Sequence, residues 1–181
     1  QTGFAPEPKM TTPIAADNAE LAGDESTAEP SANPSRRYTV VVARGPEDLH
    51  DHLPALDRLS THALEPNVFY EPWVLLAAID AFASLQLILV YDQAARSSGC
   101  GELVAFFPLE QAEQFGGFSL NVLRLWKYGT AFCGLCTPLI RRGADSAVFA
   151  SLQQWAITHY RKPTVFEWRR INGDGPVYQL L

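Results

Sequence analysis

Sulfur is scarce in this 181-residue chain, which has a single methionine, Met10, and three cysteines. So few cysteines, and an odd number, do not make a disulfide framework, so a reducing compartment is the default and a cytoplasmic location is expected. No run of 18 apolar residues occurs, so no transmembrane helix is expected. The N-terminal stretch of this sequence has no basic region followed by an apolar one, so no signal peptide is expected. Positive charge is also short. Fourteen Lys and Arg stand against twenty Asp and Glu, a net charge of −6, which argues against a general nucleic-acid binder. A hydrophobic share of 47% and an aromatic share of 11% are those of a globular protein with a core, enough for one domain and a tail.

Residues 1–37 are rich in Ala, Pro, Thr, Ser and Glu and poor in large apolar side chains, so they do not offset their ordering entropy. A disordered tail is expected there, with a localisation tag as the alternative. The chain starts at Gln1, Met10 is a candidate start, and the apolar ending Val177–Leu181 looks cut. A fragment of a longer protein is therefore expected.

From residue 38 the pattern is that of a fold. The β-branched run Tyr38–Ala43 reads as a strand, stopped by Gly45-Pro46. A short helical turn at Glu47–Leu49 precedes a helix from Pro54 with Leu56, Leu59 and Ala63 on one face. Pro66 should stop it at Glu65, and Pro72 is placed to open the next helix, running to about Phe82. The stretch Leu64–Trp73 thus reads as a sharp corner between two helices, with Phe69 and Tyr70 at the bend. Leu85–Tyr91 and Glu102–Leu109 make an antiparallel hairpin, because their link is too short for a crossover helix. A strand within Phe118–Tyr128, a short one at Thr137–Ile140, a helix over Ala144–Tyr160 and a last strand at Thr164–Trp168 complete the order. This is an α+β arrangement around a mostly antiparallel sheet flanked by helices.

Candidate sites divide into several groups. Glu71, beside Phe69 and Tyr70, either orients an acceptor hydroxyl or amine or caps the helix that begins at Pro72. Trp126 and Tyr128 either line an acceptor groove or pack in the core. Phe69, Tyr70, Glu71, Trp126 and Tyr128 are the substrate-binding candidates. Cys133-Gly134-Leu135-Cys136 is a lone CxxC with no second ligand pair and no nearby histidine, so buried thiols are expected and no metal. His50, His52 and His62 read as surface residues, and His159 as a cation at a helix end.

Taken together, Leu64–Ala77 (LEPNVFYEPWVLLA), Leu103–Leu109 (LVAFFPL), Leu123–Tyr128 (LRLWKY), Cys133–Ile140 (CGLCTPLI) and the helix through Trp155 resemble the CelD-like, FemAB-related branch of the GNAT acyltransferases. The resemblance spans about residues 38–181. It implies a GNAT-like domain, the front half of a tandem pair, in an acyltransferase of polysaccharide or envelope biosynthesis. By the same resemblance the acyl group, acetyl in the first instance, comes from acyl-CoA and passes to a small-molecule, glycan or lipid-linked acceptor. The acyl-CoA loop is expected mainly in the C-terminal half, and no catalytic residue is assigned in this chain. Its pattern, Gln/Arg-x-x-Gly-x-Gly/Ala, has one literal match, Arg96–Gly101, but a strand follows it and not a helix, so it reads as a hairpin turn. Arg141 and Arg142, before the Ala144 helix, are a phosphate-binding alternative without the glycine spacing. A non-catalytic GNAT-like binding or assembly module is the alternative function.

Overall fold

The computed structural model describes residues 37–79, 85–95, 101–112, 120–127 and 134–181. The tail expected at 1–37, the helix end near Phe82, Arg96–Cys100, Tyr128 and Cys133 fall outside these, apart from Arg37.

Six strands among the described residues form one sheet: β1 (Tyr38–Ala43), β2 (Leu85–Asp92), β3 (Glu102–Ala112), β4 (Asn121–Leu125), β5 (Leu139–Ile140) and β6 (Thr164–Glu167). The main path runs β1-β2-β3-β4-β6, with β5 also on β3. β1 through β4 pair antiparallel, while β4 and β6 pair parallel. A parallel pair needs a long crossover, and α4 (Ala147–Tyr160) is part of it. The other helices are α1 (Pro46–His50), α2 (Leu53–Thr61), α3 (Pro72–Ile79) and α5 (Pro176–Leu180). The α+β class expected from the sequence is what the chain adopts. None of the described helices is long and apolar enough to cross a membrane.

Both faces of the sheet are covered, which explains why β2 reads LQLILVYD with almost no polar alternation. Leu87, Leu89 and Tyr91 face one core with Leu56, Leu59 and Leu75 of α2 and α3. Ile88 and Val90 face the other, with Val148, Leu152 and Ala156 of α4. Gln86, on the α4 side, accepts a hydrogen bond from the Tyr160 hydroxyl at 2.6 Å.

Two helix boundaries differ from expectation for a visible reason. α2 ends at Thr61, because Ala63 pairs with Arg141 and the Leu64 N–H donates to the Ile140 carbonyl at 2.6 Å. Pairing with the sheet outcompetes the last helical turn. α4 begins at Ala147 and not at Ala144, because the Asp145 carboxylate accepts the Ala147 N–H at 3.1 Å and so holds the residues before it outside the helix.

The arrangement that positions a site lies along β3. β4 pairs with Leu109–Ala112, and β5 with Ala105 and Phe106, so both share one edge of β3. The Trp126 N–H still donates to Pro108 and the Arg141 N–H to Val104. β4 and β5 thus lie along the same edge of β3 as two parts of one broken strand, and residues 134–138 lead into the second part.

Candidate functional site

Parallel strands carry their crevice beyond their carboxyl ends, and here that place is where β4 and β6 part company. Their pairing ends at Arg124 and Glu167. Beyond it the Cys136 N–H donates to the Arg170 carbonyl at 2.9 Å. The corner Glu65–Trp73 closes over the same place.

Asn67 is the pivot. It is buried and extended, a short polar residue ahead of a 3-10 turn at Val68–Tyr70. Its Oδ1 accepts from the Phe69 N–H at 3.1 Å, and its Nδ2 donates to the Thr137 carbonyl at 2.8 Å and the Leu135 carbonyl at 3.5 Å. Three residues on, the Tyr70 hydroxyl donates to the Trp126 carbonyl at 2.6 Å and lies 3.4 Å from that of Cys136. Glu65 reaches the other way: its Oε1 accepts from the Val177 N–H at 3.0 Å, at the start of α5. A Cβ at Gly175 would overlap that oxygen, so a larger residue there displaces the Glu65 carboxylate. One corner therefore ties together the end of β4, the segment 135–137 and α5.

The substrate-binding candidates separate on this geometry. Tyr70 and Trp126 are brought together, their rings stacked at 6.3 Å and 21°, but both are fully buried. Their ring faces belong to the core, which is the packing alternative for Trp126, and they brace the surface from behind. Phe69 is half-buried and packs against both cores. Glu71 is partly exposed, and its carboxylate accepts the Trp73 indole N–H at 2.8 Å. Trp73 itself is 67% exposed, and Val68 in the corner and Leu135 in the segment 134–138 are also exposed. The accessible surface is thus Phe69, Glu71 and Trp73, and Tyr128 lies outside the described residues.

Thr137 is buried as well, and its hydroxyl has no hydrogen-bond partner among the described residues. Cys136 is buried, as expected of a structural cysteine. Among the described residues no group of three His, Cys, Asp or Glu side chains is placed to hold a metal. His50, His62 and His159 are exposed, but His52 is not a plain surface residue: its Nδ1 lies 2.7 Å from the Tyr91 hydroxyl.

The start of α4, where a phosphate would bind, is already occupied by the protein's own anion. Besides taking the Ala147 N–H, Asp145 receives the Tyr38 hydroxyl at 3.1 Å and an Arg37 N–H at 3.1 Å. Burial first, then the bond to Asp145, push the Tyr38 phenol up to about 12. Arg37 also holds Asp92, through N–H donors at 2.7 and 3.0 Å. Burial drives the Asp92 carboxyl upward, but the Arg37 bond, the Ala94 N–H and the guanidinium charge outweigh it and hold it below the usual range. Arg141 pairs with Glu102, and Arg142 Nε donates to the Ala63 carbonyl at 3.2 Å. These groups do not fit a pyrophosphate at this helix.

Asn67, Glu65 and Asp145 are not singled out as functional by sequence reasoning. The available signal is their type: each is a polar residue directly before a turn or helix, or in reach of one.

The chain matches no protein-family model and no curated protein sequence. Among solved structures it is similar to a ribosomal-protein-alanine N-acetyltransferase from Brucella melitensis biovar Abortus 2308, at 15% identity and a TM-score of 0.43, over 80% of this chain and 87% of that one. It is also similar to an aminoglycoside acetyltransferase from an uncultured soil metagenomic sample, at 13% identity and a TM-score of 0.38, over 73% of this chain and 78% of that one.

Proposed function

We propose that this chain is the acceptor-side module of a GNAT-type acyltransferase, with the acyl-CoA held by a second GNAT-like half. The observation that carries this reading is the sheet. Four antiparallel strands are followed by a helical crossover to a strand parallel with the fourth, and the carboxyl ends of that pair open at the Asn-x-Phe-x-Glu-Pro corner on which the family resemblance rests. Transfer of an acyl group from a thioester needs positioning of the acceptor and a donor for the developing oxyanion, not a covalent nucleophile on the protein. Phe69, Glu71 and Trp73 supply what an acceptor needs: apolar faces and one carboxylate that holds a hydroxyl or ammonium hydrogen. A saccharide is the acceptor class such an aromatic and carboxylate surface suits, in keeping with polysaccharide or envelope synthesis.

One observation favours the second reading, a GNAT-like module that binds or assembles without turnover: Asp145 fills the start of α4, and residues 134–138 fill the divergence of β4 and β6. Two titrations followed by tryptophan emission test the proposal. Amino sugars and glycosides are expected to change the emission saturably, and Trp73→Phe to remove the change. Acetyl-CoA is expected to leave it unaltered. Tight binding of acetyl-CoA to this chain, with no response to any acceptor, would overturn the division of labour.

A further inference from the structure

We infer that a cavity between the end of α2 and the start of β3 is an oxyanion site, separate from the corner and independent of the acyltransfer reading. The cavity is about 90 Å³, large enough for one carboxylate or phosphate group. Its floor is apolar, with Leu59 and Leu103 both buried, and its polar wall is Arg58, His62, Glu102 and Arg141.

The charges do not cancel. Arg141 pairs with Glu102, which accounts for the carboxylate. Arg58 makes no hydrogen bond or ion pair through its guanidinium among the described residues. Its five N–H donors form a planar fork that matches an oxyanion and remains unused. His62 is fixed at its other end, because Nδ1 lies 2.9 Å from the Arg58 carbonyl, which only accepts. That nitrogen therefore carries the hydrogen, so Nε2 of the neutral ring is an acceptor, and His62 lines the cavity while Arg58 supplies the donors. Arg58 sits in the last turn of α2, where a cation also complements the helix dipole. The dipole explains its position on the helix, but not its place on the wall of a cavity with a second arginine opposite. A ligand with a carboxylate or phosphate group completes it.

The full chain, with arginine Nε–H signals followed by NMR, is titrated with sodium phosphate, acetate and chloride at constant ionic strength. Phosphate is expected to shift Arg58 and Arg141 saturably, with a dissociation constant on the order of 1 mM. Arg58→Gln should weaken this at least tenfold, and Arg169→Gln, which alters a pair with Glu167 elsewhere, should not change it. Saturation by phosphate alone assigns a phosphate group, and saturation by acetate as well assigns any oxyanion. Shifts that are linear and equal to those with chloride, or an Arg58→Gln protein that titrates like the wild type, would overturn the site.

Discussion

Replacing Asn67 tests whether the corner holds the segment 135–137 in place. In Asn67→Ala the Phe69 N–H loses its acceptor and the Thr137 carbonyl, itself in a buried residue, loses its donor. At roughly 1–1.5 kcal/mol for each bond, the variant should lose about 2–3 kcal/mol of stability. At about 3 °C per kcal/mol for a domain of this size, the melting temperature should fall by about 6–9 °C. Asn67→Asp should be worse at neutral pH, because a carboxylate replaces the amide donor opposite the Thr137 carbonyl. Burial and that carbonyl would raise the new carboxyl above the unfolded value of about 3.9. The folded state then binds more protons than the unfolded state as pH falls, so stability decreases as pH rises and the deficit of Asn67→Asp shrinks toward pH 4. Differential scanning calorimetry from pH 4 to 8 measures both effects, and amide exchange at Cys136 reports on the segment. An Asn67→Ala protein within about 0.5 kcal/mol of wild type, with Cys136 protection unchanged, would refute the reasoning.

Gly175→Ala should dislodge Glu65 from the Val177 N–H and cost about 1 kcal/mol; in a Glu65→Ala background the same change should cost little, and equal costs in the two backgrounds would show the contact to be unimportant. Asp92 is held below the usual carboxylate range, so its contribution is present above the unfolded value and disappears as pH falls through the folded one. Arg37→Ala should therefore raise the midpoint of acid unfolding, followed by circular dichroism, and an unmoved midpoint would contradict the pairing. Tyr38, pushed up to about 12, stabilises the fold in its neutral form, so stability should fall between about pH 10 and 12; Tyr38→Phe should flatten that slope, and an unaltered alkaline profile would exclude the phenol as its cause.

Strands declare themselves in the sequence where burial is local and continuous. The β-branched run Tyr38–Ala43 and the apolar run from Leu85 appear at the expected places, and Pro72 does open a helix. Events set by distant partners are not legible. Nothing near Ala63 says that it will pair with Arg141, or near Leu125 that β4 will break and resume as β5 on the same edge of β3. α5 escapes notice because five residues show no helical period, although Pro176 after Gly175 is a start signal. The corner stands out in the sequence as the organising stretch, but its roles are inverted there. Tyr70 reads as a ligand contact and Trp126 as groove or core, whereas both rings are buried and the Tyr70 hydroxyl is consumed by a backbone carbonyl. Small Asn67, conspicuous only as part of a motif, carries the connection.

The most direct test of the account is transfer of label from acetyl-CoA, radioactive in the acetyl group, to amino-sugar and glycoside acceptors, in protein that contains this chain together with a second GNAT-like half. The account predicts labelled acceptor, with Glu71→Gln raising the acceptor KM while thermal stability is unchanged. Acceptor binding at the Trp73 surface with no label transferred under any condition would contradict the acyltransferase reading and leave the binding module in its place.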